Sequence, residues 1–286
     1  MKKTILTFSI LMSLACGGLF QNQQAEEARL AEETRLAEEA RLNTVYPMKK
    51  VNAGTYTIGC TPGQGSDCDD DETKHDVILT QSYLVGETEV TQGLYQEVMG
   101  TNPSWFTACG SECPVETVSW FDAVAFSNAL SEREGLPTCY AISGEVVTMP
   151  DGLHCGGFRL PTEAEWEVAA RGGQDLKYSG SNNIDEAAWY GENSSNTTHP
   201  VRQKKPNGFG LYDMSGNVLE WCWDWYGSYG TTSVTDPLGP DVGSDRVKRG
   251  GSWNYSPRST RAAFRYSYTP SFRYSNLGLR LIRSSP

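Results

Sequence analysis

The sequence predicts an α+β domain in which short helices and short strands are joined by much irregular chain. Three observations carry that expectation. With 29 Gly and 14 Pro among 286 residues, turns interrupt the chain too often for long regular elements over most of its length. The helix signals are brief and closed by glycine, and the strand signals are equally brief. Hydrophobic residues make up only 38%, but 8 Trp, 14 Tyr and 9 Phe make that apolar fraction strongly aromatic. From Tyr46 onward roughly 240 residues have globular composition, enough for one large core.

In chain order, Met1-Lys2-Lys3 is a charged start, and Thr4 to Leu14 is an apolar run of signal-peptide length, too short to span a bilayer. Residues 1–15 therefore read as a signal peptide. The junction Ser13-Leu14-Ala15-Cys16-Gly17 resembles a bacterial lipoprotein cleavage box, with Ser13 where Leu is usual. That resemblance implies lipidation of Cys16 and an exported, membrane-anchored chain, at the outer membrane or cell surface if the cell is Gram-negative. Ordinary secretory cleavage nearby is the alternative, and either route exports the protein.

Residues 16–45 then form a charged spacer. The six-residue repeat Glu-Glu-Ala-Arg-Leu-Ala places Glu26–Arg29, Glu32–Arg35 and Glu38–Arg41 at i,i+3 spacing for ion pairing. Leu30, Leu36 and Leu42 step by about 240° at roughly 100° per residue, so they build no seam for a coiled coil or a membrane surface. A solvated helix of about 27 Å, at about 1.5 Å per residue, or a frayed linker both satisfy this pattern.

Residues 46–286 form the domain. Val85 to Val90 reads as a strand leading into a helix from Thr91 to Met99, stopped by Gly100. Ser119 with Asp122 caps a second helix ending near Gly135, and Thr162 with Glu165 forms a capping box for a third, Glu163 to Arg171, stopped by Gly172-Gly173. Short strands follow around Arg246–Arg249 and Leu277–Ile282.

Export makes the cysteines legible as disulfides. Cys60–Cys68, Cys109–Cys113 and Cys139–Cys155 each enclose a polar or glycine-containing loop, which leaves Cys222, between Trp221 and Trp223, as a small buried hydrophobe. A net charge of −11 argues against nucleic-acid binding. The chain has three His and contains no HExxH, phosphate loop or GxSxG. Asp67 to Glu72 begins like an EF-hand loop but has Glu72 where glycine is needed, so a solvated acidic loop is expected.

Five segments together resemble the formylglycine-generating enzyme, or sulfatase-modifying factor, family. They are Gly86-Glu87-Thr88-Glu89-Val90-Thr91, Phe158 to Glu167, Asn207 to Trp221, Arg249-Gly250-Gly251-Ser252-Trp253 and Ser275 to Arg280. The resemblance implies a variant of the C-type lectin fold with little regular secondary structure. It also implies a test of function, because the family's enzymes oxidise a substrate cysteine using copper held by two cysteines. Those lie three and eight residues after the Ser of Gly-Gly-Ser, which here are Tyr255 and Thr260. A phenol and an alcohol do not replace soft thiolates for Cu(I), so copper and the copper-dependent reaction are expected to be absent. The family's iron-dependent sulfoxide synthases take their iron-binding histidines from an additional helical domain, and with no paired histidines here that activity is not expected either.

The same resemblance implies calcium at Ser215, Gly216, Asn217, Val218 and Glu220, with hydrogen bonding of the turn without metal as the alternative. The family's other calcium site aligns near Ala187-Ala188, where its Asn ligand is missing. It places Trp221, Ser252, Trp253, Asn276 and Arg280 in a substrate groove, to which Tyr255, Arg258, Arg261, Arg265 and Arg273 add aromatic and basic character. These residues either grip a ligand or pack the core. The expected function is an envelope lipoprotein whose domain binds or scaffolds a peptide, protein or glycan without catalysis. The alternatives are an oxidoreductase of the family using Cys222 or another metal, and a lectin-like glycan binder.

Overall fold

The computed structural model describes residues 2–285, with side chains from Gln24 onward. The signal-peptide and Cys16 lipidation expectations therefore lie outside the described side chains. The chain divides into two compact units, 1–47 and 48–286. In the first, the backbone of Lys2–Val45 forms helix α1. Arg29 pairs with both Glu26 and Glu33, and Arg35 with both Glu32 and Glu39, so the repeat supplies i,i+4 as well as i,i+3 partners. Leu30 and Leu36 are half exposed. Among the described residues no helix is long and apolar enough to cross a membrane.

The second unit contains strands β1 (Met48–Val51), β2 (Gly54–Ile58), β3 (His75–Leu79), β4 (Tyr83–Gly86), β5 (Ala141–Ser143), β6 (Val146–Thr148), β7 (Leu219–Trp225), β8 (Val234–Thr235), β9 (Arg246–Arg249), β10 (Tyr266–Tyr268), β11 (Leu277–Gly278) and β12 (Ile282–Ser284). They form sheets ordered β1-β4-β12, β10-β9-β7-β11 and β2-β3-β8, plus a β5-β6 hairpin. The helices are α2 (Gln92–Met99), α3 (Trp120–Arg133), α4 (Glu163–Arg171) and the single turn α5 (Ile184–Ala187). Helices α3 and α4 start at their expected caps, Ser119/Asp122 and Thr162/Glu165 closing full capping boxes, while Thr91, expected as the first residue of α2, is instead its cap, its side chain accepting from the Leu94 amide. Gly172 ends α4 at φ +59°, where a Cβ would come within 2.6 Å of Asn207, so that turn requires glycine. The three expected disulfides are present.

Helix α4 crosses the centre of the unit against β2, β7 and β9. All nine of its residues are buried, including three glutamates. Their charges are met by arginines from four separate segments. Glu163 takes Arg265 and Arg249, Glu165 takes Arg159, and Glu167 takes Arg249 and Arg171. Apolar packing surrounds this ladder, with Trp166, Val168 and Ala169 in one cluster with Val77, Tyr83, Cys222 and Val247. The acidic loop differs from expectation. Glu72 is fully buried with Arg261, at 2.6 Å, rather than solvated, and Asp67 pairs with Lys177. These pairs, with the Cys60–Cys68 bridge, tie the loop to the domain.

Candidate functional site

The site is built on β9 and the turn after it. Gly251 adopts φ +72°, and a Cβ there would approach Ser259 O at 2.7 Å and Thr260 Cα at 2.8 Å, so glycine lets the two loop segments press together. Ser252 Oγ donates to Asn254 Oδ1 at 2.8 Å, and Asn276 Nδ2 donates to the same Oδ1 at 2.9 Å and to Ser252 Oγ at 3.3 Å. Trp253 Nε1 donates to Ser275 O, and its ring meets Phe106 edge-on. Three of the five expected groove residues, Ser252, Trp253 and Asn276, are therefore brought together. Trp221 and Arg280 are not. Trp221 is buried with Nε1 donating to Val118 O, and Arg280 is buried against Glu220, Gly86 O and Tyr212 O. Both are core residues, because β7 and the last loop run through the interior.

The donor set does not fit copper. The Thr260 hydroxyl is buried and donates to Ser256 O at 2.9 Å, while burial and the neighbouring Tyr266 push the Tyr255 phenol up, keeping it protonated. Cys222 offers no substitute. It is fully buried, and burial with the Asp224 and Glu163 carboxylates pushes its thiol well up, which disfavours the thiolate that soft metals and redox chemistry need.

The calcium set does not fit as expected either. Glu220, its only carboxylate, accepts Arg280 Nε at 3.0 and 3.1 Å, Arg280 Nη2 at 2.8 Å and Trp166 Nε1 at 2.6 Å. Asn217 Oδ1 accepts the His199 amide and Asn217 O the Trp253 amide. Ser215 Oγ accepts the Ser179 amide, and Gly216 and Val218 contribute backbone only. With its one anionic ligand neutralised by a guanidinium, the segment lacks the charge that calcium needs. Sequence reasoning missed the residues behind it. Glu89 is buried and accepts the Val218 amide, and burial with Asp213 pushes its carboxyl well up. Asp213 is itself pushed up to about 6, mainly by burial. Three carboxylates thus lie around the buried Arg280 guanidinium, with Arg202 also acting on Asp213, and the upward shifts of Glu89 and Asp213 favour their neutral forms.

The arginines expected to grip a ligand are likewise engaged, Arg258 with Asp69, Arg261 with Glu72, Arg265 with Glu163 and Arg273 with Asp122. Lys248 is different. It has no carboxylate within 4 Å among the described residues, and its Nζ lies 4.6 Å from the Tyr266 ring, 4.9 Å from Tyr268 and 5.6 Å from Phe272. Tyr266 and Tyr268 alternate on β10 and face β9 in antiparallel register, so both rings reach one side of the sheet. Burial lowers the ammonium to about 8. Tyr266, Tyr268 and Tyr274 are 40%, 40% and 50% exposed. The result is an open aromatic face with a cation at its base. The tyrosine alternation in Tyr266-Ser267-Tyr268 was the signal available in the sequence.

This architecture is a variant of the C-type lectin fold. Residues 33–285 match the sulfatase-modifying factor enzyme 1-like domain, and the chain belongs to that family. It is 38% identical to chaperone protein LppX of Paenibacillus barcinonensis, over 72% of this chain and 82% of that one. It is 32% identical to the mouse formylglycine-generating enzyme over 71% of this chain, and spans 59% of that protein's length. Among solved structures, Treponema denticola variable protein 1 superposes with a TM-score of 0.75 at 40% identity, covering 83% of this chain and 95% of that one.

Proposed function

We propose that this is an exported, lipid-anchored envelope protein whose domain binds a ligand at the Lys248 face and does not oxidise cysteine. One observation carries the reading: the two positions that must supply thiolates hold a buried, bonded threonine and a protonated tyrosine. The aromatic face supplies an alternative use for the same region. A buried ammonium beneath the exposed rings of Tyr266 and Tyr268 suits a carboxylate next to an apolar or sugar surface, as in an acidic peptide or acidic glycan. The chaperone name of the Paenibacillus relative supports a binding role over a catalytic one.

The experiment is metal content by mass spectrometry together with a cysteine-peptide oxidation assay on the full chain. The expected result is substoichiometric copper and unmodified peptide. Stoichiometric copper with formation of the peptide aldehyde would overturn the reading. For the anchor, Cys16→Ala is expected to move the protein from the membrane fraction to the soluble one.

A further inference from the structure

A second cleft, of about 420 Å³, opens beside the N-terminus of α4, between β3 and the chain from Gly227 to Pro240. Its wall is apolar, formed by Val234, Pro237, Leu238 and Pro240, and its floor carries Asp224, Tyr229 and His75. The floor groups share an unusual property. Asp224 is buried, and its Oδ2 accepts the Glu163 amide, at 2.8 Å, with no cation within 4 Å among the described residues. The Tyr229 hydroxyl is buried with no hydrogen-bond partner among the described residues. His75 Nδ1 lies 2.9 Å from Thr73 O, so it donates there and Nε2 is left as an acceptor. Its ring meets Tyr229 at 4.6 Å.

The charges facing Asp224 can be followed element by element. From α4, Glu163 is held by Arg265 through two bonds of 2.7 Å and Glu165 by Arg159. From β9, Arg246 stacks on the Trp225 ring at 3.6 Å and donates to Trp223 O, and it feels the Asp224 carboxyl electrostatically without reaching it as an ion pair. The lining thus contains two carboxylates against one guanidinium, and Asp224 is the one without an ion pair within 4 Å among the described residues. A buried polar group without a partner is costly, and here one such group, the Tyr229 hydroxyl, lines the same cavity as a carboxyl with no ion pair within 4 Å among the described residues and an imidazole.

We propose that this cleft binds a primary alkylammonium, whose three N–H groups are received by Asp224, the Tyr229 oxygen and His75 Nε2 while its alkyl chain lies along Pro237, Leu238 and Pro240. The count of donors matches the count of acceptors, and a chain of net charge −11 draws cations toward it. Burial and the Glu163 carboxylate push Asp224 well up, which favours its neutral acid form. Binding then transfers that proton to solvent and leaves a carboxylate–ammonium pair. The source is either a free diamine or the side chain of a lysine-containing peptide.

Calorimetric titration of the full chain with cadaverine and, separately, with Nα-acetyl-lysine methylamide tests this, in two buffers of different ionisation enthalpy. The expected result is saturable binding of at least one probe with proton release. Cadaverine alone assigns free amines, and the lysine derivative alone assigns lysine-bearing peptides. Asp224→Asn, which keeps the acceptor for the Glu163 amide, is expected to weaken binding at least about tenfold and to abolish proton release. Leu238→Trp, at a 41% exposed position on the rim, blocks the cavity without touching Asp224 and decides the matter if the first variant misfolds. No saturable binding of either probe up to about 100-fold over the protein concentration, or binding unchanged in Leu238→Trp, would overturn the proposal.

Discussion

Glu220 is where an ion pair and a calcium ligand make opposite predictions. In this structure it is fully buried, and both its oxygens are taken by Arg280 and Trp166. Glu220→Gln keeps the size and one acceptor but removes the carboxylate that is hydrogen-bonded to the fully buried Arg280 guanidinium, leaving only Glu89 and Asp213 nearby to balance it. Breaking one side of such a pair costs about 3–5 kcal/mol. In a domain of this size each kcal/mol is about 2–4 °C, so at the lower cost Tm is expected to fall by about 6–12 °C. Removing both charges with Glu220→Gln/Arg280→Met should recover part of that loss, and the difference gives the coupling energy. The assay is thermal denaturation of both proteins with and without EGTA. Any shift caused by the chelator is expected to be equal in the wild type and in Glu220→Gln. A chelator shift that is large in the wild type and vanishes in the variant would refute the ion-pair argument and restore Glu220 as a calcium ligand.

The remaining expectations rest on single side chains. Because Lys248 is lowered to about 8 in the folded state from an ordinary value near 10.5, the unfolded chain holds its proton more tightly between those values. Its contribution to stability is full above about pH 10.5 and is lost as pH falls through about 8. The wild type should therefore gain stability relative to Lys248→Met across that window in denaturant titrations, and parallel pH profiles would contradict it. Thr162→Ala removes the α4 cap to the Glu165 amide and should cost about 1 kcal/mol by denaturant unfolding. Cys222 should resist alkylation in the native protein and react fully in denaturant, as read by mass spectrometry; rapid native labelling would contradict its burial.

Much of the local architecture was legible because caps act over three or four residues. Ser119 and Thr162 start helices where expected, Thr91 serves as a cap, and Gly100 and Gly172 take the left-handed conformation that ends α2 and α4. The short disulfides are local in the same sense. The site was less legible. Trp221 and Arg280 sit in motifs that resemble a groove, yet one anchors to Val118 and the other to Glu220, 60 residues away in sequence.

Sequence spacing and chemistry sufficed for the family, the loop-rich α+β class, the three bridges and the loss of thiolates at Tyr255 and Thr260, because each depends on residue identity or near neighbours. Which charges are spent was settled by folding. Arg261 meets Glu72 across 189 residues and Arg265 meets Glu163 across 102, whereas Lys248 and Asp224 have no ion pair within 4 Å among the described residues. Pairing over such separations follows from which surfaces the core brings into contact, and a linear pattern does not encode that contact.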